Sequence, residues 1–443
     1  MTLLQKPVAA AKPLSLFWDN RNYVLLVLLA VYAANIADRY VVSTLIEPIK
    51  AEFHLSDSAV GFLTGSALAI FYVTAGIPLG VLADRVNRRN MIALSLAAWS
   101  ALTLICGLTR SFTQLLIARI GVGVGEAGGT PPSLTLLSDR FPPRLRSAAT
   151  TVLTVGSAIG ATAGTTGGGW LSDHYGWRAA LIVFGLAGMP LALLVRATIR
   201  EPKRGALDDN QAAAVKAGFG DTLRFIARQR SLVHIFAGKL IVTFWGWGLI
   251  WWTPAFLARS HHLSPGAAGA LLGPMHLLGG TAAMLATAWA MQRFANRPPR
   301  LQTRFVGIIV LIATVPSILV YGSDSMILVQ AMLWVFLPVT YFYIGPTFAL
   351  IQNLVLPGMR AQGCAVSLFV SNIANLVLAP QLIGLASDLI APRLANPAES
   401  LRYALIGAAF TGFWGAAHFF AAERSLSSDL ARVGIDPPRD DPR

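Results

Sequence analysis

Four ionisable residues stand inside apolar runs where a charge needs a partner or a purpose. Asp38 and Arg39 lie in YVLLVLLAVYAANIADRYVVSTLI (Tyr23 to Ile46), and Arg119 and Glu126 lie in a later run. A charge at the centre of a lipid-spanning helix costs about 2.5–3.5 kcal/mol on insertion scales, so an acid and a base at depth mark an ion, proton or substrate path. Asp38 and Arg39 are adjacent, about 100° apart around a helix, and cannot share one direction. Tyr32, Asn35, Arg39 and Ser43 recur at helical spacing and form a polar face, with Asp38 on its shoulder. Arg119, Gly123, Glu126, Thr130 and Ser133 form a second stripe, in which Arg119 and Glu126 are roughly 10 Å apart along the axis. The four charges sum to zero. Burial and a nearby guanidinium act on a carboxyl's proton affinity in opposite directions, so small changes in geometry can load or release a proton. Asp38 and Glu126 are the candidate proton carriers, with Arg39 exchanging partners between them or with an anionic substrate group. The alternative is a permanent ion pair that fixes two helices together. Arg119, near a helix end, could instead snorkel to the membrane surface.

The elements that position these residues follow from composition. Of 443 residues, 55% are hydrophobic and 13% charged, with a mean hydropathy of +0.59. That is an all-α integral membrane protein: about 20 apolar residues make one helical crossing, and a barrel would alternate polarity instead. Twelve apolar runs, helices 1 to 12, lie near 22–47, 58–82, 91–109, 114–138, 147–170, 178–196, 234–257, 265–291, 305–322, 326–352, 364–388 and 403–422. Residues 1–22 hold Lys6, Lys12 and Arg21 without an apolar signal region, so helix 1 is expected to be retained.

The net charge of +14 has a topological reading that needs no nucleic acid. Lys and Arg crowd the tails and the connections after helices 2, 4, 6 and 8, while the opposite connections hold Lys50, Arg110, Arg178, Arg259, Arg393 and Arg402. The positive-inside rule then places both termini in the cytoplasm of a cell inner (plasma) membrane protein. Cys106 and Cys364 fall in or beside apolar runs and suggest neither a disulfide framework nor a metal site. GxxxxGK[ST] is absent, no cofactor is expected, and enzymatic activity is not expected.

The chain divides into a tail (1–21), a six-helix bundle (22–196), a linker (197–233), a second six-helix bundle (234–422) and a tail (423–443). In the linker, Phe219, Leu223 and Ile226 oppose Arg224, Arg228 and Arg230 at helical spacing, which predicts an amphipathic surface helix. The bundles repeat. HLSDSAVGFLTG (His54 to Gly65) and HLSPGAAGALLG (His262 to Gly273) share seven of twelve positions at an offset of 208, and Asp173 pairs with Asp388 at 215. Parallel six-helix repeats are an architecture of secondary transporters, with the substrate path at the repeat interface.

GVLADRVNRRN after helix 2, carrying Gly80, Asp84, Arg85, Arg88 and Arg89, resembles the signature loop of the major facilitator superfamily. A degenerate copy, AMQRFANR, follows helix 8, with Gln292 in the place of Asp84. The resemblance implies the twelve-helix facilitator fold, alternating access, and a latch in which the loop's Asp and Arg hold helix ends in the outward-open state. It also implies that helices 1 and 4 face one cavity. ARIGVGVGEAGGTPPS in helix 4 is similar to the family's Arg-plus-glycine pattern; GVGEAG inside an apolar helix cannot be a dinucleotide loop, which joins a strand to a helix. NIADRY, GEAGGTPPS, SDRFPPRLRSAA and GGWLSDHYGWRAA look like the Spinster branch, the sphingolipid and lysolipid transporters and their bacterial relatives. The Asp-Arg pair with a Glu in helix 4 also resembles the anion:cation symporter branch.

In the second bundle, Lys239, Thr243 and Trp247 share a face of helix 7, while Trp251 and Trp252 read as an interfacial belt. His276, Tyr341, Asn372 and Asn375 are candidates to bind polar substrate groups, with interhelical hydrogen bonding as the alternative. The expected function is proton-coupled transport of an amphipathic lipid-like molecule such as a lysolipid, by a monomer in the bilayer. Symport of small organic anions, or a transporter-like sensor or scaffold, are the alternatives.

Overall fold

The computed structural model describes residues 20–83, 85–203, 218–294 and 300–433. Among them, ten helical stretches are long and apolar enough to cross a membrane. One, Ala148–Thr198, contains two crossings, because Gly176 takes φ 83° and ψ 162° and turns the chain where a side chain would be strained. Another crossing is interrupted: Phe112–Ala127 stops at Gly128 and Gly129, and Thr130–Ser138 continues helix 4. Twelve crossings result, as the apolar runs predict.

Short polar residues end what the apolar runs build. Asn20, Ser56, Asn87, Ser111 and Ser264 each accept a backbone N–H in the first turn of helices 1, 2, 3, 4 and 8. The repeated HLS explains itself here. His54 (φ 51°) and His262 (φ 54°) are left-handed C-caps, the next Leu packs into a core, and Ser56 or Ser264 starts the next helix. One residue closes a helix and another opens the next.

The surface helix is Phe219–Arg228, with Ile226 buried and Phe219 and Leu223 exposed. Arg230 is not on its polar face, because it begins helix 7 (Arg230–His261). The last helix, Thr411–Ala431, also runs past the expected end at Ala422. We call the membrane face that carries the linker the linker side and the opposite face the far side.

Two large cores hold the structure. One lies in the N-terminal set of six helices; the other lies in the C-terminal set and takes in Tyr40, Ile46, Val60 and Ala161 from the first. A third, smaller core joins the surface helix to helices 7, 10 and 12 on the linker side. Helices 2, 5, 8 and 11 each contain a π turn, at Phe62–Ser66, Ala163–Gly167, Met275–Gly280 and Ile373–Leu378. All four lie where one set meets the other, and π turns frequently mark functional sites.

Candidate functional site

Helix 1 (Arg21–Thr44) brings Asp38 and Arg39 to helix 4 from two directions, as their 100° separation requires. Arg119 Nη1 donates to Asp38 Oδ2 (3.2 Å), and Thr103 Oγ1 of helix 3 donates to Asp38 Oδ1 (2.5 Å). Two turns further into helix 4, Arg39 reaches Glu126 Oε2 through Nε (2.8 Å) and Nη2 (2.6 Å). The Arg39 guanidinium lies 5.0 Å from the centroid of the Tyr72 ring. Asp38, Arg119 and Glu126 are buried. The sequence leaves open which acid each arginine holds, and the structure gives two parallel pairs with zero net charge.

Arg119 does not snorkel: it is 1% exposed and its guanidinium turns inward to Asp38. Both pairs leave hydrogen-bonding capacity unused. Among the described residues, Glu126 Oε1 and Arg119 Nε and Nη2 are buried without a partner. Such atoms inside a low-dielectric layer are costly unless a proton, water or ligand visits them. Thr103 and Tyr72 complete the cluster. Neither stands out in the sequence, since one is a lone threonine in an apolar run and the other one of many aromatics.

Asn35 is buried and Tyr32 half-buried on the same helix, and Thr130 starts the second segment of helix 4, so the predicted helix 4 stripe is broken between Glu126 and Thr130. Behind Asp38 lies a cavity of about 170 Å³ among helices 1, 3, 5 and 6, bounded by small residues such as Ala34, Ala37, Gly160 and Gly188. It lies within the N-terminal set, away from the second set.

Across the interface, His276, Thr243 and Lys239 each have a polar partner. His276 Nδ1 and Tyr341 Oη are 2.9 Å apart, Thr243 and Tyr343 share a hydroxyl bond of 2.8 Å, and Lys239 donates to Ser367. The Trp247 ring meets Tyr341 edge-on at 5.0 Å between centroids. Asn372 is half-buried, and Asn375 Oδ1 has no partner among the described residues. Tyr40 of helix 1 stands edge-on to His276 at 5.0 Å, so the two sets meet through rings close to the charged pairs.

The sequence model of the family described as Major Facilitator Superfamily matches residues 28–379. The chain belongs to that superfamily. An MFS-type efflux pump of Mycolicibacterium smegmatis is 32% identical over 384 residues, 86% of this chain and 87% of that protein. The sphingosine-1-phosphate transporter SPNS2 of Danio rerio is 26% identical over 87% of this chain and 81% of its own length. A crystal structure of a bacterial homolog to the human lysosomal transporter Spinster, inward-facing and unoccupied, matches with a TM-score of 0.81 at 28% identity, over 95% of this chain and 99% of that one. This facilitator is a Spinster-like secondary transporter and not an enzyme.

The facilitator's far side is closed by a cluster of ion pairs and helix caps. Arg259 of helix 7 bridges Glu47 (2.7 Å) and Asp57 (2.7 Å), Lys50 pairs with Asp57, and Ser387 donates to Asp57 Oδ2 (2.6 Å). Asp388 accepts the backbone N–H groups of Asp57 (2.9 Å) and Ser58 (2.8 Å), capping helix 2 from the other set. Asp173 does the same for helix 8, accepting from Gly266 N (3.0 Å) and Ser264 Oγ (2.5 Å). The Asp173/Asp388 repeat is therefore a pair of crossed helix caps. Beside it, Arg178 bonds Glu52 (2.5 Å) and holds that carboxyl below its usual range.

Trp251 and Trp252 are not an interfacial belt. Both are buried, and Trp251 bonds across the interface, its carbonyl accepting from Ser43 (2.6 Å) and its Nε1 donating to Thr64 (3.3 Å). Closure of the facilitator's two sets covers what an isolated helix would show to the membrane surface.

The signature loop lies at the linker side. Arg88 donates to Asp139 Oδ2 (2.6 Å) and Glu201 Oε1 (2.7 Å), and the Arg89 backbone donates to Glu201 Oε2 (3.0 Å), so both arginines tie the ends of helices 3, 4 and 6 within one set. Arg85 is exposed and Gly80 lies on helix 2, whose last segment is Ala67–Ala83. Asp84 lies outside the described residues.

Proposed function

We propose that this facilitator is a proton-coupled transporter of amphipathic, lipid-like molecules, working by alternating access in a cell inner (plasma) membrane with its linker side in the cytoplasm. The proposed division is two six-helix bundles joined by a linker and flanked by tails, with the expected bounds 22–196 and 234–422 widened by helix 6 to Thr198, helix 7 from Arg230 and the last helix to Ala431. The observation that carries coupling is the pair of buried, charge-balanced ion pairs, with Glu126 Oε1 left without a partner. Asp38 has both oxygens engaged and serves as the anchor of Arg119. Glu126 has one oxygen open and is the proton carrier. When that oxygen takes a proton, the carboxyl no longer holds Arg39 as an ion. The guanidinium, kept on the Tyr72 ring, is then available to an anionic group of the substrate.

The substrate class follows from the likeness to a sphingosine-1-phosphate transporter and to a bacterial Spinster homolog, and it agrees with the ring-rich face of Trp247, Tyr341 and His276. Arg88 and Arg89 are proposed to exchange their present partners for contacts across the linker side when the far side opens. The test is uptake into proteoliposomes under an imposed pH gradient, offering lysolipids and small organic acids side by side. Gradient-driven uptake of lysolipids that Glu126→Gln abolishes supports the reading. Uptake of organic acids alone would replace the substrate class, and no flux of either kind would favour a sensor or scaffold.

A further inference from the structure

The buried and partly buried cations at the functional sites follow one rule with one exception. Arg39, Arg88, Arg119 and Arg259 each face a carboxylate. Lys239 does not. Its side chain is 2% exposed, its Nζ donates to Ser367 of helix 11, and it sits 3.9 Å from the centroid of the Phe348 ring of helix 10. No acid pairs with it among the described residues. An ammonium carries three donors, and one hydroxyl and one ring face leave it short of both charge and hydrogen bonds. A buried cation in an apolar helix is costly without a counter-charge, and an anion from outside the chain would supply it.

Its position makes such a visit feasible. Lys239 lies roughly 14 Å along helix 7 from Arg230, toward the linker side and away from the contacts that close the far side. Helices 7 and 11 both touch the N-terminal set, through Trp251 with Ser43 and Val377 with Ser66. Phe348, against the ammonium, and Ser371, which donates to the Ser367 carbonyl, are both half-buried. One turn deeper, the bonded Thr243 and Tyr343 hydroxyls leave one O–H as a further donor. This is a cation, hydroxyls and an aromatic wall, with no acid to repel an anion.

We infer that Lys239 and Ser367 form an oxyanion subsite, which receives the acidic head of the transported molecule or a free inorganic anion of the same chemistry. The inference rests on the proposed reading that an anionic, lipid-like substrate enters between the two sets, and it adds the place where the acidic head is held. The test is thermal unfolding of the purified full chain in detergent with three probes: lysophosphatidic acid, a monoacylglycerol of the same acyl chain, and inorganic phosphate. A ligand that binds the folded state raises the apparent melting temperature.

The expected result is a rise with lysophosphatidic acid that exceeds any rise with the neutral lipid. Lys239→Met should abolish the difference, Ser367→Ala should reduce it, and Lys239→Arg should restore most of it. Lys239→Met removes an unpaired buried charge, so its ligand-free melting temperature should hold or rise. A rise with inorganic phosphate that also needs Lys239 identifies a free anion as an occupant; none identifies the lipid head alone. Equal shifts from the acidic and neutral lipids in the unsubstituted chain, or an undiminished difference in Lys239→Met, overturns the subsite. Proton coupling fails separately: gradient-driven flux that survives Glu126→Gln, with the Lys239-dependent shift intact, removes the coupling and leaves the subsite standing.

Discussion

At the scale of single residues, the site is a choice of partners. The sequence shows two acids and two arginines on facing helices, and their sum of zero is legible from residue types alone. Which acid meets which arginine is not, because partner choice depends on the rotation of helix 4 and on its break at Gly128 and Gly129. Asp38 and Glu126 therefore predict different phenotypes. Asp38→Asn leaves Arg119 buried with a weaker partner, and breaking a buried pair from one side costs about 3–5 kcal/mol. A fall in thermal stability is expected, and the added change Arg119→Gln should recover much of it, a coupling that a double-mutant cycle measures. Glu126→Gln keeps a hydrogen-bond acceptor for Arg39 and should fold with a smaller loss. Arg88→Ala, which removes bonds to Asp139 and Glu201, should destabilise by a comparable few kcal/mol without touching the charged cluster.

At the scale of elements, the repeat in the sequence is the mechanism of closure. Gly61 and Gly65 of helix 2 correspond to Gly269 and Gly273 of helix 8 at the offset of 208. A Cβ on Gly61 would lie 2.3 Å from the Pro380 carbonyl oxygen, and one on Gly269 would lie 2.1 Å from that of Thr165. Each glycine thus lets backbones of opposite sets touch. The Asp388 and Asp173 carboxylates then cap the helix N-termini brought within reach, each worth about 0.3–1 kcal/mol and up to ~2 when partly buried. The repeat is legible in the sequence because capping and close approach restrict residue type. The Arg259–Asp57–Glu47 cluster is not, because acids at helix ends resemble ordinary polar connections until the far side closes around them.

Two predictions belong to this scale. Replacing both caps, as Asp173→Ala with Asp388→Ala, should shift the population toward an open far side. Spin labels on Arg110→Cys and Ala395→Cys, with Cys106 and Cys364 replaced, would show it as a longer distance by pulsed electron resonance. Gly269→Ala alone should act in the same direction, since the new methyl pushes helix 8 from helix 5. An unchanged distance distribution in both would mean that the closure is held elsewhere.

At the scale of the whole molecule, two helix sets enclose a charge-balanced core on one side and a ring-rich, cation-bearing face on the other. The fold was readable from twelve apolar runs and their flanking charges, since crossing a bilayer dictates length and composition. Burial of Trp251 and Trp252 was not, because it arises only when the sets meet. Asp38 and Arg39 lie nearer the far end of helix 1, behind the inter-set contacts that close the far side. In the proposed mechanism, protonation of Glu126 frees Arg39 and so couples the gradient to movement. Purified facilitator in proteoliposomes tests this most directly, with lysolipid flux measured both under an imposed pH gradient and as exchange at equal pH. The account predicts that Glu126→Gln retains exchange and loses gradient-driven accumulation, and undiminished accumulation in Glu126→Gln would contradict it.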